Sequence, residues 1–319
     1  VKDGIITGKD YTTETPCILV NPSATINISN VNISRTSDDT YKKETVELHG
    51  TLKIDSGKIE NTNLCAIWSY TDSTVNMEIS GTAEIYSSAT GYVTLYNNTT
   101  GTTKITGGKI TSVNSNAIRQ EGVMEISGTA EISSSNKPTI YTYAGSETKI
   151  SGGNITSTDG NAITNNGTLE ISGGKITSAS SNAIYNNGIL EISGTTEISG
   201  TNVPTISNQS GAETIMSGGK ITSASSNAIN NYGKLEISNA EEISSSGTNY
   251  PTICNQSGAE TTISGGTIKA ITSYAFWNMS GGTATITGGT FTSTNSYAIY
   301  NQGTITVEGA TTNGSTYGI

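Results

Sequence analysis

The sequence predicts an all-β protein, a single-domain parallel β-solenoid with three short strands in each coil. Three observations predict it: a repeat of 20 to 27 residues, short runs in which apolar and polar residues alternate, and Gly, Ser or Asn after each run. About 12 coils are present, and we expect a right-handed β-helix. A β-propeller would need blades of about 40 to 50 residues with aromatic signatures, which the repeats lack.

Residues 167–187 show the repeat most clearly. Their three alternating runs, residues 168–172, 175–177 and 183–185, are each predicted to be a strand. A unit of this length cannot bury an apolar face alone, so we expect successive coils to stack and bury it. The predicted core positions of the unit are Leu169, Ile171, Ile176 and Ile184. The Gly173-Gly174 pair is predicted to form a turn between the first two strands.

The coils are of two kinds, which alternate over much of the chain. In short coils the third strand begins Asn-Ala-Ile, as at residues 116–118, and in longer coils it begins Pro-Thr-Ile, as at residues 138–140. Residues 1–23 fit the repeat poorly and are predicted to form an N-terminal cap or partial coil. Residues 24–319 are predicted to form the β-helix, which ends in mid-coil because residues 316–319 match residues 296–299. We therefore expect either a fragment of a longer protein or end-to-end self-association.

Charged residues form two columns when the coils are aligned. The first column follows the outward position of the first strand and reads Lys53, Glu78, Lys104, Glu125, Lys149, Glu170, Glu191, Ile215 and Glu236. The second column precedes the Ile of the second strand and reads Lys58, Glu84, Lys109, Glu131, Asn154, Lys175, Glu197, Lys220 and Glu242. Because a one-coil slip would place like charges side by side, the columns are interpreted as a device that specifies register.

Composition excludes several functions. The chain has 319 residues, a net charge of −10 and a pI near 4.6, so nucleic acid is not an expected partner. No apolar run reaches the roughly 18 to 20 residues of a membrane span, so membrane insertion is not expected.

The cysteines Cys17, Cys65 and Cys254 have no CxxC spacing, and we expect isolated thiols. A Thr, Ser, Asn and Gly rich acidic chain fits an extracellular or cell-surface setting in bacteria.

With its ISGGxI and SNAIYN motifs, the chain from about residue 24 onward resembles the parallel β-helices of the pectate-lyase-like superfamily. It resembles more closely the Gly, Thr and Asn rich repeat modules of Gram-positive cell-surface proteins. Enzymes of that superfamily that cleave polygalacturonate carry clustered aspartates, a Gly-His-Gly segment and a basic residue for the substrate carboxylate. In this sequence the single histidine, His49, lies in Leu-His-Gly, and Asp38-Asp39 is the one local acidic pair outside the columns.

No catalytic set is therefore recognised, and no cofactor or metal site is expected. A column of aromatic residues, one position after the third-strand Ile, remains as the candidate binding face. This column is predicted to point outward, where aromatic rings bordered by Asn and Gln could stack on a sugar or be buried by a protein partner. The other interpretation is that the rings pack on neighbouring coils. The candidate residues are Trp68, Tyr96, Tyr141, Tyr185, Trp277 and Tyr300.

A column of Ala and Thr lies next to these aromatic residues, and the pattern leaves open whether it faces the interior or the solvent. The function predicted is a non-enzymatic surface or adhesin module that binds a glycan or a host surface protein. Two alternatives stay open. One is a polysaccharide-active β-helix enzyme or an inactive relative, and the other is a structural spacer or filament subunit.

Overall fold

The computed structural model describes residues 2–7, 15–35, 43–71, 74–98 and 101–315, and all regular structure in these residues is β-strand. The predicted all-β class and parallel solenoid are confirmed. No helix in the described residues is long and apolar enough to cross a membrane. The acidic pair Asp38-Asp39 and the final residues 316–319 lie outside the described residues.

The chain packs as two compact units, Val1–Gly160 (unit 1) and Asn161–Ile319 (unit 2). The strands of unit 1 are β1 (Lys2–Thr7), β2 (Ile18–Val20), β3 (Thr25–Arg35), β4 (Val46–Leu48), β5 (Thr51–Ile54), β6 (Gly57–Asn61), β7 (Ile67–Ser69), β8 (Asn76–Ile79), β9 (Glu84–Ser87), β10 (Leu95–Asn97), β11 (Thr102–Ile105), β12 (Lys109–Ser112), β13 (Ile118–Gln120), β14 (Val123–Ile126), β15 (Glu131–Ser134), β16 (Ile140–Thr142) and β17 (Glu147–Ser157).

The strands of unit 2 are β18 (Ile163–Asn165), β19 (Thr168–Ser178), β20 (Ile184–Asn186), β21 (Ile189–Ile192), β22 (Glu197–Gly200), β23 (Ile206–Asn208), β24 (Glu213–Met216), β25 (Lys220–Ser223), β26 (Ile229–Asn231), β27 (Lys234–Ile237), β28 (Glu242–Ser245), β29 (Ile253–Asn255), β30 (Glu260–Ile263), β31 (Thr267–Ala270), β32 (Phe276–Asn278), β33 (Thr283–Ile286), β34 (Thr290–Ser293), β35 (Ile299–Asn301), β36 (Thr304–Val307) and β37 (Thr311–Gly314).

Each unit contains three parallel ladders, because every strand pairs with its counterpart one coil away. In unit 1 the first ladder runs through β5, β8, β11 and β14, the second through β6, β9, β12 and β15, and the third through β2, β4, β7, β10, β13 and β16. The long strands β3 and β17 contribute to both the first and the second ladder. Strand β1 pairs with β3 in parallel.

Unit 2 repeats this arrangement. The first ladder contains β21, β24, β27, β30, β33 and β36, the second β22, β25, β28, β31, β34 and β37, and the third β18, β20, β23, β26, β29, β32 and β35. Strand β19 serves the first two ladders, so Gly173-Gly174 is part of a strand and the predicted turn is wrong. Gly174 bends that strand with a φ of +87°, a conformation that glycine adopts without strain.

The core consists of apolar side chains that stack on their equivalents from coil to coil. Leu169, Ile171, Ile176 and Ile184 are each at most 1% exposed, as predicted. In unit 2 the core also contains Phe276 and Phe291, whose rings meet at 6.4 Å between centroids. Burial of one such aliphatic side chain contributes about 1.5 to 3 kcal/mol, so the summed stacks are the main stabilising term of each unit.

The column of Ala and Thr faces the interior, which settles a point that the sequence left open. Ala117 and Thr139 of unit 1 and Thr205 and Ala228 of unit 2 are all fully buried. The threonine hydroxyls bond the next coil: the Oγ1 of Thr205, for example, donates to the carbonyl oxygen of Thr222 at 2.8 Å. Small side chains are needed here because the chain turns a tight interior corner.

Three short coils bond to the long coil that follows each of them. The buried side chain of Asn116 in a short coil donates from Nδ2 to the carbonyl oxygen of Pro138 in the following long coil, at 2.6 Å. Asn182 bonds Pro204 in the same way, and Asn227 bonds Pro251, both at 2.6 Å. In each of these three pairs a buried amide and a proline carbonyl satisfy each other across the boundary between the coils.

An asparagine ladder that was not predicted follows the third ladder of unit 2, and all of its members except the last are buried. The third residue of each third-ladder strand is an asparagine whose Nδ2 donates to the Oδ1 of the next, at 2.8 to 3.0 Å. Its members are Asn165, Asn186, Asn208, Asn231, Asn255, Asn278 and Asn301. In unit 1 the equivalent positions include Asn97, whose Nδ2 donates to the Oε1 of Gln120 at 2.6 Å. Identical side chains stacked in register can satisfy each other, as in a cross-β structure.

The charge columns have the predicted register. Lys53 pairs with Glu78 and Glu78 with Lys104 across the first ladder, and the Nζ of Lys53 lies 2.9 Å from the Glu78 carboxylate. In unit 2 the first column stops alternating, since Glu170 is aligned with Glu191, and farther along the ladder a lysine outside the column pairs with two glutamates. Lys234 reaches Glu213 at 2.7 Å and Glu236 at 2.6 Å.

Candidate functional site

The predicted aromatic residues of unit 1 lie on the outer surface of the third ladder. The register aligns Glu47, Trp68, Tyr96, Arg119 and Tyr141 on successive coils. All five side chains are half-buried, while the flanking Ile and Leu positions are fully buried. The outward direction follows from the alternation of a strand. Trp68 and Tyr96 lie on neighbouring coils and contact each other, whereas Tyr141 contacts Tyr143 of its own coil.

Trp68 is the centre of an aromatic cluster in unit 1, which consists of His49, Trp68, Tyr70 and Tyr96. The Trp68 ring meets Tyr96 edge to face at 4.6 Å and Tyr70 at 6.0 Å between centroids. His49 stacks on Tyr70 at 4.7 Å with an interplanar angle of 11°. These contacts hold the rings in fixed orientations, since edge-to-face and offset-stacked pairs are favourable beyond their area.

A carboxylate network borders this cluster. The Lys43 ammonium lies 3.1 Å from the Glu44 carboxylate and 3.0 Å from that of Glu47, and Glu47 also lies 3.0 Å from the Nε2 of His49. Glu44 is buried and accepts a hydrogen bond from the hydroxyl of Tyr70 at 3.1 Å. The histidine that the sequence singled out is thus bound to a carboxylate next to two aromatic rings.

The network shifts the ionisation of its members. Burial raises the pKa of Glu47, but the hydrogen bonds from His49 and Lys43 outweigh burial and hold that pKa below its usual value. Burial and then the nearby Glu44 raise the pKa of the Tyr70 hydroxyl. Burial also raises the pKa of Tyr96, whose hydroxyl donates to Glu121. The carboxylate of Glu47 is therefore held in its ionised form and the two phenols in their protonated forms.

In unit 2 the predicted residues do not come together as one face. Tyr185 is aligned with Thr164 and Ser207, and Trp277 is aligned with Cys254 and Tyr300. Only Trp277 and Tyr300 among the predicted residues of this unit contact each other, with ring centroids 5.8 Å apart.

Trp277 and Tyr300 belong to a larger cluster with two tyrosines that the prediction missed. This four-ring cluster consists of Tyr274, Trp277, Tyr297 and Tyr300, all half-buried. Tyr274 stacks on Tyr300 at 4.7 Å and meets Trp277 edge to face at 5.7 Å. Tyr297 lies 6.1 Å from both Tyr274 and Tyr300. Gln302 accepts from the Trp277 Nε1 at 3.3 Å and donates to the Tyr300 hydroxyl at 3.3 Å.

A sequence pattern could have identified Tyr274 and Tyr297 as members of the cluster. In most short coils the residue before the buried Ala is an asparagine, as in Asn227-Ala228, but the last two coils of this kind have Tyr274-Ala275 and Tyr297-Ala298. The same two coils carry aromatic residues in the predicted column, Trp277 and Tyr300. Two adjacent columns that both become aromatic in neighbouring coils indicate a cluster, since the strand spacing brings these positions within about 5 Å.

The three cysteines are free thiols. Burial raises the pKa of Cys65 to about 12 and that of Cys254 to about 11. A thiol with so high a pKa is a poor nucleophile and a poor metal ligand at neutral pH. Across the residues that the structure describes, no group of three or more His, Cys, Asp or Glu side chains is placed to hold a metal ion.

Comparison of the chain with known proteins identified no relative: no family model, no curated protein and no solved structure matches it.

Proposed function

We propose that the protein is a non-enzymatic extracellular surface module of the adhesin type, which binds glycans on the outer surface of the third ladder. The observation that carries this proposal is the four-ring cluster of unit 2. Four aromatic side chains in mutual contact form a continuous, partly exposed apolar surface on a rigid sheet. The extracellular location rests on the acidic composition rich in Thr, Ser, Asn and Gly.

Glycans fit this surface because a sugar ring has apolar C–H faces and a rim of hydroxyls. The C–H faces pack on aromatic rings, and the hydroxyls need hydrogen-bonding groups at the edge of the rings. The exposed amide of Gln302, held by Trp277 and Tyr300, is such a group. Since the rings are already fixed by one another, little side-chain entropy is lost on binding.

The alternative of a polysaccharide-active enzyme draws on the carboxylates beside Trp68 in unit 1. A glycosidase needs one carboxylic acid with a raised pKa and a second carboxylate about 5 to 9.5 Å away. Glu47 has its pKa shifted in the opposite direction, by Lys43 and His49. Glu121 is bonded to Tyr96 and Glu44 to Tyr70 and Lys43. These partners favour a structural or ligand-positioning role, which is why binding is proposed ahead of catalysis.

A glycan-array screen of the full chain tests the proposal, with Trp277→Ala as the variant. We expect wild type to bind a subset of glycans and Trp277→Ala to weaken that binding about tenfold, because an indole face is lost. Tyr250→Ala is the matched control, since Tyr250 is 50% exposed and lies outside the four-ring cluster. Circular dichroism should show an unchanged fold for both variants.

The screen also separates the remaining alternatives. Equal binding by wild type and Trp277→Ala would remove the four-ring cluster as the site. Absence of any binding would overturn the proposal and leave the spacer or filament subunit, which light scattering would reveal as concentration-dependent assembly. Release of reducing or unsaturated sugar ends from a bound polysaccharide would replace a binding module with an enzyme.

A further inference from the structure

Arg119 interrupts the aromatic column of unit 1. Within the residues that the structure describes, its side chain forms no ion pair. It lies on β13 between Tyr96 on one side and Tyr141 on the other, each one strand spacing away. Its side chain is half-buried on the outer surface. The register therefore places a cationic side chain between two aromatic positions on the same outer surface of the sheet.

One edge of the Arg119 guanidinium is held from inside the fold. The Nε of Arg119 donates to the Oδ1 of Asn116 at 3.2 Å, and the Nδ2 of Asn116 donates to the carbonyl oxygen of Pro138 at 2.6 Å. Asn116 is only 5% exposed, so it is a fixed acceptor. Because Nε is occupied, the two terminal nitrogens remain as a fork that suits a carboxylate or sulfate group.

The neighbouring carboxylates are committed to other partners. Glu121, two residues along the chain, accepts the hydroxyl of Tyr96. Glu47 at the other end of the column is paired with Lys43 and His49. In the part of the chain that the structure describes, no carboxylate lies within 4.0 Å of the Arg119 nitrogens.

We propose that Arg119 is the specificity-determining residue of an acidic-sugar site in unit 1, where its terminal nitrogens bind a carboxylate or sulfate on a sugar ring. The rings of Tyr96, Tyr141 and Trp68 take the apolar faces of that sugar and its neighbours. Asn116 is a positioning residue that orients the guanidinium. The proposal rests on the proposed glycan-binding function and adds a ligand class and a second site to it.

The net charge of −10 does not oppose this site strongly. Charges more than about 8 Å away are screened at physiological ionic strength, so the fork in direct contact with the anion decides the interaction. Because the interaction between the guanidinium and the anion is electrostatic, we expect binding to weaken as salt is added, whereas stacking of a neutral sugar does not depend on salt in this way.

The test uses the full chain and three oligosaccharides of equal length: one built of uronic acids, one sulfated, and one in which the acid groups are replaced by neutral hydroxymethyl groups. Calorimetry should show that wild type binds at least one acidic probe about tenfold or more tightly than the neutral probe. Arg119→Gln should remove that difference. The relative affinities for the uronate and the sulfated probe identify the group that the fork accepts.

Lys104→Gln is the matched control, because it removes the same charge from an exposed position in the first ladder of unit 1. It should retain the preference for the acidic probe. Arg119→Lys should recover part of the preference and its salt dependence, since it keeps the charge but loses the fork. Circular dichroism and thermal unfolding establish that Arg119→Gln is folded.

The outcomes separate this proposal from the general one. Equal affinity for acidic and neutral probes, or an unchanged preference in Arg119→Gln, overturns the role of Arg119. If Trp277→Ala still weakens binding of a neutral glycan in that case, glycan binding stands and only the acidic-sugar site fails. Binding of none of the probes or array glycans overturns both.

Discussion

Replacing Asn231 by alanine tests whether the asparagine ladder holds the coils of unit 2 together. Asn231 is fully buried. Its Nδ2 lies 3.0 Å from the Oδ1 of Asn255, 3.0 Å from the carbonyl oxygen of Glu260 and 3.1 Å from that of Gly233. Its Oδ1 accepts the Nδ2 of Asn208 at 2.8 Å and the backbone N–H of Gly233 at 3.2 Å. The side chain therefore joins three coils.

The expected loss of stability is about 3 to 4 kcal/mol. A buried amide can make about four hydrogen bonds, and each contributes roughly 1 kcal/mol net to stability. Alanine removes them and leaves buried donors and acceptors of Asn208 and Asn255 with fewer partners, which adds to the cost. An exposed asparagine provides the control. Asn187→Ala loses one solvent-exposed bond to Asn166, 2.8 Å long, and should cost less than about 0.5 kcal/mol.

Hydrogen exchange followed by mass spectrometry is the appropriate assay, because repeat proteins open locally and a single global transition is not assured. In the coils around residue 231, Asn231→Ala should speed amide exchange about 100-fold or more, the factor that 3 kcal/mol implies. Unit 1 serves as an internal reference in the same sample. If exchange around residue 231 rises no more than in Asn187→Ala, the ladder does not stabilise the coils and the hydrogen-bond reasoning is refuted.

Two further predictions concern the charge columns. Glu78→Lys aligns a third lysine with Lys53 and Lys104 and should lower the free energy of unfolding by about 1 kcal/mol at low salt. Most of this loss should be recovered in 1 M salt, which screens the repulsion. Urea titrations with Glu78→Gln as the control measure the loss, and a loss that does not depend on salt would contradict the prediction. In unit 2 the hydrogen bond from Lys269 is the chief cause that lowers the pKa of Glu242 from its ordinary value of 4.5. The ionised carboxylate therefore stabilises the fold at pH values above 4.5, and this contribution disappears as the pH falls through the folded-state pKa. Wild type should therefore exceed Glu242→Gln by about 0.5 kcal/mol at pH 7 and lose that advantage in acid, as thermal unfolding at several pH values would show; a difference that persists in acid would contradict the assignment.

Much of the fold could be predicted because the same pattern of apolar and polar residues occurs in every repeat. The alternation around Ile171 and Ile176 identifies two ladder positions in one coil, and a dozen similar coils favour an in-register stack that buries these isoleucines. The register of the charge columns follows from the same repeat, since residues such as Lys53 and Glu78 occupy equivalent positions.

The candidate site could be predicted only in part. The sequence identifies Trp277 and Tyr300 as outward aromatic residues, but it does not reveal that Tyr274 and Tyr297 join them, because these tyrosines lie in a different column. It also includes Tyr185, which is aligned with Thr164 and Ser207 rather than with other rings. Contacts between columns depend on how the chain turns the corner between strands, and residue spacing along one strand does not contain that information.

The class of fold, the three ladders and the registers of the apolar, aromatic and charged columns could be read from the sequence, because each of these follows from a periodicity along the chain. The tertiary structure was needed to show which way the Ala and Thr column faces, that Asn116 bonds Pro138 of the following coil, and that one edge of Arg119 is held by Asn116. These features depend on hydrogen bonds and ring contacts between neighbouring coils. Their geometry is fixed when the coils pack, and the aromatic residues form separate clusters in the two units rather than one continuous column of rings.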